Sequence, residues 1–137
     1  MKVLVDTNVI LDVLIGRQPH VVSSASFLKL CGATVTGMLA ASQTTDIFYI
    51  LRREGKDAAE AKSLIKKLTT KLKVIDLTHA DVKSALESDM QDYEDALLAF
   101  GGNRHKADYI VTRNEKDFIN SPVPTLSPQS FMELCQF

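Results

Sequence analysis

The segment MKVLVDTNVILDVLIG (Met1–Gly16) changes from a strand-like to a helix-like pattern at one carboxylate. Lys2–Val5 is a short β-rich run that predicts a buried strand, and Asn8–Ile15 is predicted to form a helix. Asp6 lies between them. A carboxylate next to a buried strand is unfavourable unless it is hydrogen-bonded, paired or bound to a metal. We therefore predict a functional site at this junction, with capping of the helix by Asp6 as the alternative explanation.

The same alternation of strands and helices continues along the chain. Further strands are predicted at Ala33–Thr36, Lys73–Asp76, Asp108–Thr112 and Pro124–Leu126. Helices are predicted at Pro19–Leu30, Ala40–Arg53, Ala61–Leu72, Thr78–Ser88, Asp92–Phe100 (closed by Gly101–Gly102) and from Ser127 onward, with a short helical turn at Glu115–Ile119. Alternating strands and helices indicate a parallel sheet covered on both faces. We therefore predict an α/β protein with three α/β/α layers and a mostly parallel sheet of about five strands, forming one domain over residues 1–137.

The composition is that of an ordinary globular domain. The 137 residues are 45% hydrophobic and 24% charged, with a net charge of −1, so no overall positive field indicates a purely electrostatic nucleic-acid binder. Two cysteines, Cys31 and Cys135, are too few for a disulfide framework. The N-terminal apolar run is too short and too polar to span a membrane. These features predict a reduced, cytoplasmic protein without a membrane segment.

Several other acids are placed where they could join Asp6. Asp46 lies within an apolar segment, and Asp92 and Asp95 share one face of a predicted helix, where their charges would repel. Asp117 follows the fourth predicted strand. Each acid alone is explained equally well as a helix cap or a solvated residue, but ligands of parallel sheets bind at the carboxyl ends of the strands. An oxygen-rich site there suits Mg²⁺ or Mn²⁺, and the three histidines lack metal-ligand spacing.

Four segments resemble successive motifs of the PIN-domain family: MKVLVDTNVILDVL, ASQTTDIFYILRR, DYEDALLAF and ADYIVTRNEKDF. Their order and spacing match over essentially the whole chain, and the likeness is to small stand-alone bacterial PIN proteins, many of them VapC-like toxins. The resemblance implies a PIN-like fold and an Mg²⁺- or Mn²⁺-dependent endoribonuclease that hydrolyses RNA phosphodiester bonds. It also implies that the partners are RNA, a second copy of the chain in a homodimer, and an antitoxin protein.

The resemblance assigns roles to particular residues. Asp46 stands where the family most often has glutamate, and Asn114 stands where many relatives have aspartate. Whether Asn114 or Asp117 fills the fourth acidic position therefore stays open, as does the number of metal ions. The implied catalytic acids are Asp6, Asp46, Asp95 and Asp117. The implied metal ligands are Asp6, Asp46, Asp92, Asp95, Asn114 and Asp117. The implied substrate contacts are Asn8, Thr112, Arg113 and Lys116.

Three other protein classes share some of these sequence features. A HAD-like phosphatase needs a second aspartate two residues after Asp6, where this chain has Asn8. A response-regulator receiver needs a phosphoacceptor aspartate in mid-chain and a lysine after a late strand, and neither stands out. The departures at Asp46 and Asn114 also allow a PIN fold that mainly binds RNA or a protein partner, with weak or no catalysis. Metal-titrated cleavage of defined RNAs separates this last interpretation from an active enzyme.

Overall fold

Five strands form one central sheet, in which every neighbouring pair is parallel. The structure is a computed structural model that describes residues 1–136. Phe137, the last residue of the predicted domain, lies outside the described residues. The strands are β1 (Lys2–Val5), β2 (Thr36–Ala40), β3 (Lys73–Ile75), β4 (Tyr109–Val111) and β5 (Thr125–Leu126), in the order β3-β2-β1-β4-β5. The predicted five-stranded α/β sheet is thus confirmed, and it is entirely rather than mostly parallel.

Helices cover both faces of this sheet. They are α1 (Thr7–Leu14), α2 (Val21–Leu30), α3 (Ala41–Arg53), α4 (Ala58–Lys71), α5 (His79–Glu87), α6 (Tyr93–Arg104) and α7 (Pro128–Leu134), with a 3₁₀ turn at Glu115–Phe118. Alternate side chains of β1 point to opposite faces. Val3 and Val5 pack in one apolar cluster and Leu4 in the other, which confirms the predicted three layers. Within residues 1–136, no helix has both the length and the apolar character needed to cross a membrane.

The strand order places a switch in chain direction next to β1. From β1 the chain builds β2 and β3 on one side, and it then returns to build β4 and β5 on the other. Crevices at such switch points, outside the carboxyl ends of the strands, are where open parallel sheets bind ligands. Asp6 follows β1 and Thr112 follows β4, so both residues lie at this crevice.

The prediction of the second strand at Ala33–Thr36 was wrong by about three residues. Cys31–Val35 forms a tight connection instead, in which the Gly32 N–H donates to the carbonyl of Val35 at 2.9 Å and Gly32 has φ +80°. The strand then includes Gly37, where a Cβ atom would lie 2.5 Å from Leu72 Cδ2. Glycine weakens a strand by itself, so its use here reflects close packing that local propensity does not reveal.

The predicted end of the sixth helix at Gly101–Gly102 was also wrong. Helix α6 continues through both glycines to Arg104, and the chain turns only at Lys106, where φ is +62°. A Cβ atom at Gly101 would lie 2.4 Å from Leu77 Cδ2, and one at Gly102 would lie 3.2 Å from Leu4 Cδ2. These glycines therefore let α6 approach its neighbours closely, whereas the sequence pattern alone suggested a helix end.

Candidate active site

Asp6 is held at the crevice by hydrogen bonds from both sides. Its carboxylate accepts from the backbone N–H of Thr7 at 2.8 Å, which caps α1, and from Thr112 Oγ1 at 2.7 Å. Only 8% of the residue is exposed. Burial raises the pKa of Asp6 and the charge of Asp117 raises it further, while the hydrogen bonds from Thr112 and Thr7 oppose the rise. Asp6 is thus both the helix cap and a buried carboxylate facing a second acid.

The first turn of α6 brings more acids to the same place. Asp92 caps the helix by accepting from the backbone N–H of Asp95 at 2.9 Å. The pKa of Asp95 is raised to about 7, first by burial and then by the charges of Asp6, Asp92, Asp117 and Glu94. Burial disfavours the charged form of Asp95, and the four neighbouring carboxylates are close enough to add to this effect. We name Asp6, Asp92, Glu94, Asp95 and Asp117 the acidic cluster.

Asp46 adjoins the acidic cluster through Glu94. Burial raises the pKa of Glu94, followed by the charges of Asp46, Asp92 and Asp6. Asp46 on α3 and Glu94 on α6 also line one open groove of about 660 Å³. Glu94 was absent from the residues chosen from the sequence. Glu94 is the first residue of the Glu-Asp-Ala sequence in DYEDALLAF, and its place directly before Asp95 was the available signal.

The segment after β4 completes the crevice. Thr112 is fully buried, and its Oγ1 donates to Asp6 and accepts from the backbone N–H of Asn114 at 3.0 Å. Asp117, in the 3₁₀ turn, raises the pKa of both Asp6 and Asp95. Asp117 therefore supplies a negative charge that acts on the other acids, whereas Asn114 is uncharged. This difference favours Asp117 over Asn114 as the fourth acid. The metal-ligand roles of both residues stay predictions.

Arg113 points to a buried carboxylate on α1. Its Nε donates to Asp12 Oδ2 at 2.7 Å and its Nη2 to Asp12 Oδ1 at 3.0 Å, while Ser24 Oγ donates to Oδ2 at 2.9 Å. Asp12 has no exposed surface. The backbone N–H of Arg113 also donates to Asn8 Oδ1 at 3.4 Å. This geometry favours a positioning role for Arg113 and Asn8, which fasten the segment after β4 to α1, over the substrate contacts predicted from the sequence.

Lys116 is the predicted substrate contact that lies beside the acidic cluster with an exposed positive charge. It lines a pocket of about 280 Å³ together with Asp92 and Asp117. A cation beside these carboxylates can contact a phosphate that approaches the cluster. The role of Lys116 in substrate binding stays a prediction.

Gln43 is a buried polar residue that sequence reasoning did not identify. Its Nε2 donates to the carbonyl of Val5 at 2.8 Å and to Thr7 Oγ1 at 3.1 Å, and its Oε1 accepts from the N–H of Ala40 at 2.7 Å. It therefore joins the ends of β1 and β2 one helical turn before Asp46. No local pattern marks such a residue, because two of its three partners lie far away in the chain.

The acidic cluster offers carboxylate oxygens, which suit a hard divalent cation, and a cation would relieve the repulsion that raises the pKa of Asp95. Among residues 1–136, however, no three Asp, Glu, His or Cys side chains are arranged as a ready-made metal cage. Mg²⁺ usually keeps several waters and binds through one or two carboxylates plus substrate phosphate. The residues therefore fit a cation held loosely in an open site and do not fit a closed cage.

The raised pKa of Asp95 predicts how the metal-free protein responds to pH. The folded state holds this proton more tightly than the unfolded state, because the pKa rises from 3.8 to about 7. The contribution of Asp95 to stability is therefore fully present below about pH 4 and is lost as the pH rises to about 7. We expect Asp95→Asn in EDTA to raise the melting temperature more at about pH 8 than at about pH 5.

The measurement is thermal denaturation at both pH values, with Glu133→Gln as a control. Glu133 is an exposed carboxylate on α7, so its amide variant makes the same chemical change without removing charge from the acidic cluster. An equal change of melting temperature at the two pH values for Asp95→Asn would contradict the proposed repulsion.

The chain resembles known proteins over most of its length. Residues 2–116 match the family model of the PIN domain. Among curated proteins, none matches the sequence.

Similar solved structures share the fold. VapBC2 from Rickettsia felis, bound to a DNA fragment from its promoter, has a TM-score of 0.72 and 18% identity, covering 93% of this chain and 98% of that chain. VapBC-1 from nontypeable Haemophilus influenzae has a TM-score of 0.70 and 13% identity, covering 94% and 99%. VapC20 from Mycobacterium tuberculosis, a sarcin–ricin loop cleaving toxin, has a TM-score of 0.64 and 13% identity, covering 79% and 86%. Because the family model spans most of the residues, the chain belongs to the PIN-domain family.

Proposed function

We propose that this PIN-domain protein is an Mg²⁺- or Mn²⁺-dependent endoribonuclease and the toxin of a toxin–antitoxin pair. The observation that carries the proposal is the convergence of Asp6, Asp95 and Asp117 at the switch point of the sheet, where the charge of Asp117 acts on both other carboxylates. Family membership supports nuclease chemistry. The similar structure of a sarcin–ricin loop cleaving toxin supports RNA as the substrate.

The acids have distinct tasks in this proposal. Asp6 and Asp95 would hold the cation, and Asp92, Asp117 and Asp46 would contribute their charge around it. When bound, the cation supplies Lewis-acid stabilisation of the charge that develops on the phosphate and the leaving oxygen. The N–H of Thr7 and the hydroxyl of Thr112 keep the Asp6 carboxylate in one orientation, so that little reorganisation is needed.

The protonation of Asp95 would make cation binding depend on pH. Its pKa of about 7 means that a substantial fraction of the metal-free protein carries a proton there at neutral pH. Cation binding at Asp95 releases that proton, so apparent affinity for the cation falls as the pH falls. We therefore expect the rate of RNA cleavage to increase with pH across the range in which Asp95 loses its proton.

The proposed partners follow from the same site. RNA approaches the acidic cluster, with Lys116 as a phosphate contact. An antitoxin protein is proposed because several similar structures are toxin–antitoxin complexes, such as the one from Klebsiella pneumoniae. A homodimer, a cytoplasmic location and a single PIN domain over residues 1–137 complete the proposal.

Metal removal provides the direct test of the proposal. We expect EDTA-treated protein to lose cleavage of defined single-stranded and hairpin RNAs, and Mg²⁺ or Mn²⁺ to restore it. Half-saturation is expected to need more metal at about pH 6 than at about pH 8, because protons compete for Asp95. The measurement is the initial cleavage rate during metal titration at both pH values.

Two results would contradict the proposal in different ways. Cleavage that persists unchanged in EDTA would refute metal dependence. RNA that binds in the presence of Mg²⁺ and Mn²⁺ but stays intact would favour a PIN-fold binding module, the alternative suggested by Asp46 and Asn114. Mass spectrometry of the RNA ends separates specific hydrolysis from contamination by another nuclease.

A further inference from the structure

A wide groove opens next to the acidic cluster on the side of α3. We name it the α3 groove; its lining residues are Thr7, Asp46, Tyr49, Ile50, Arg52, Arg53 and Glu94. It shares Glu94 with the acidic cluster, and Thr7 directly follows Asp6. A polymer that passes over the cluster therefore has a continuous path into this groove.

One wall of the α3 groove carries an exposed aromatic ring. Tyr49 is 67% exposed, although large apolar rings are normally covered in globular proteins. Its ring lies 5.5 Å from that of Phe48 in an edge-to-face arrangement with an interplanar angle of 81°, and Phe48 itself packs against the core. The Tyr49 ring is thus supported at its base and open to the groove.

Two cations lie on the same helical face as this ring. Arg52 and Arg53 occupy positions three and four residues after Tyr49, which places all three side chains side by side on α3. Both arginines are exposed. The ion pairs among residues 1–136 involve neither guanidinium. Both are therefore available to an anionic ligand.

We propose that the α3 groove binds a single-stranded segment of RNA next to the phosphate that is cleaved. This inference rests on the proposed ribonuclease function and extends it to the residues of this chain that would hold the RNA beside the cleaved phosphate. One base stacks on Tyr49, and Arg52 and Arg53 contact the neighbouring phosphates. A base in a duplex has its faces covered by neighbours, so stacking on Tyr49 requires unpaired RNA.

Charge distribution favours RNA over a protein as the occupant. The acidic cluster repels a polyanion, and its negative charges add to burial in raising the pKa values of Glu94 and Asp95. A polyanion therefore needs cations beside the cluster, and Arg52 and Arg53 provide them within the same groove. Aromatic rings interleaved with basic side chains are the usual means of binding single strands without strict sequence preference.

The test measures binding of a short fluorescent single-stranded RNA by anisotropy in the Asp6→Asn background with Mg²⁺ present, so that the RNA stays intact. Tyr49→Ala is expected to weaken binding about 10-fold, the effect of losing one stacked base. Tyr49→Phe keeps the ring and is expected to bind several-fold more tightly than the Ala variant. A duplex of the same sequence is expected to bind more weakly than the single strand and to respond little to Tyr49→Ala.

The arginines are tested by salt dependence. Arg52→Gln/Arg53→Gln is expected to weaken binding and to make the slope of log Kd against log salt shallower by about 1.4, for two lost phosphate contacts. The control is Lys29→Gln/Lys83→Gln, which removes two exposed positive charges from α2 and α5. A slope change equal to that of the control would overturn the assignment to Arg52 and Arg53.

Cleavage by the same variants in the otherwise native protein separates this inference from the proposed function. If the native protein cleaves RNA but Tyr49→Ala binds like its parent, the α3 groove proposal fails and the ribonuclease proposal stands. If neither the native protein nor the variants cleave RNA, but Tyr49→Ala weakens binding of the single strand, the α3 groove proposal is supported and the ribonuclease proposal fails. If Tyr49→Ala changes only self-association or protein binding, the groove is a protein contact and the proposal is overturned.

Discussion

Asp6→Asn is expected to lower RNA cleavage at least about 100-fold, because even the outer partners of metal ligands contribute about 10- to 100-fold when removed. The change removes a negative charge that holds the cation and faces the phosphate in the proposed mechanism. Asp95→Asn is expected to act in the same direction, since Asp95 is a partly buried carboxylate on which the charges of the other four members of the acidic cluster act. The measurement is the initial rate of cleavage at saturating Mg²⁺.

The Asp6→Asn protein is expected to keep its fold. Its amide oxygen still accepts from the N–H of Thr7, and its amide nitrogen can donate to Thr112 Oγ1 in place of the existing bond. Substitution also removes the burial penalty that raises the pKa of Asp6. Circular dichroism and thermal denaturation check that the variant is folded before its activity is compared.

The control for this experiment is Glu133→Gln, an amide substitution of an exposed carboxylate on α7. It is expected to retain activity, because Glu133 contributes nothing to the acidic cluster. Near-native cleavage by folded Asp6→Asn protein would remove Asp6 from the mechanism. An equal loss in Glu133→Gln would point to a general effect of charge on RNA encounter.

Asp12→Ala is expected to have the largest effect on stability. It would leave the Arg113 guanidinium without its carboxylate partner and the hydroxyl of Ser24 without its acceptor at a position with no solvent exposure. Breaking a buried pair by removing one partner lowers the free energy of unfolding by about 3–5 kcal/mol. The measurement is equilibrium denaturation by urea.

A second variant separates the unpaired charge from the lost volume. Asp12→Leu/Arg113→Met replaces both ions with apolar groups, and such replacements recover most of the lost stability when they pack well. Asp76→Ala is the matched control, since Asp76 pairs with Arg104 on the surface. Loss of an exposed pair is expected to lower the free energy of unfolding far less. A loss for Asp12→Ala no larger than that for Asp76→Ala would refute the importance of the buried pair.

This pair also has a consequence for activity. Arg113 lies between Thr112, which orients Asp6, and Asn114, which begins the turn that carries Asp117. If the Asp12–Arg113 pair positions this turn, the folded double variant recovers stability without recovering full cleavage. Recovery of both together would mean that the pair serves stability alone.

Local sequence determined the elements whose causes lie within a few residues. The strand at Lys2–Val5 and the helix that starts after Asp6 were confirmed, because β-branched residues and a capping carboxylate act on their own backbone. The helix predicted from Thr78 was confirmed for the same reason. Thr78 Oγ1 accepts from the N–H of Asp81, and the N–H of Thr78 donates to the Asp81 carboxylate.

Tertiary structure decided what depends on neighbours far away along the chain. Arg113 received a carboxylate partner 101 residues away, and Gln43 joined Val5 from 38 residues away. Helix α6 continues through Gly101, where the absence of a Cβ atom leaves room for Leu77. Alternating patterns predicted a parallel sheet and acids near its edge, but only the strand order placed Asp6 beside Asp117. Hydrogen bonding and burial within one helical turn are encoded locally, whereas the partner of a buried charge depends on how distant elements pack.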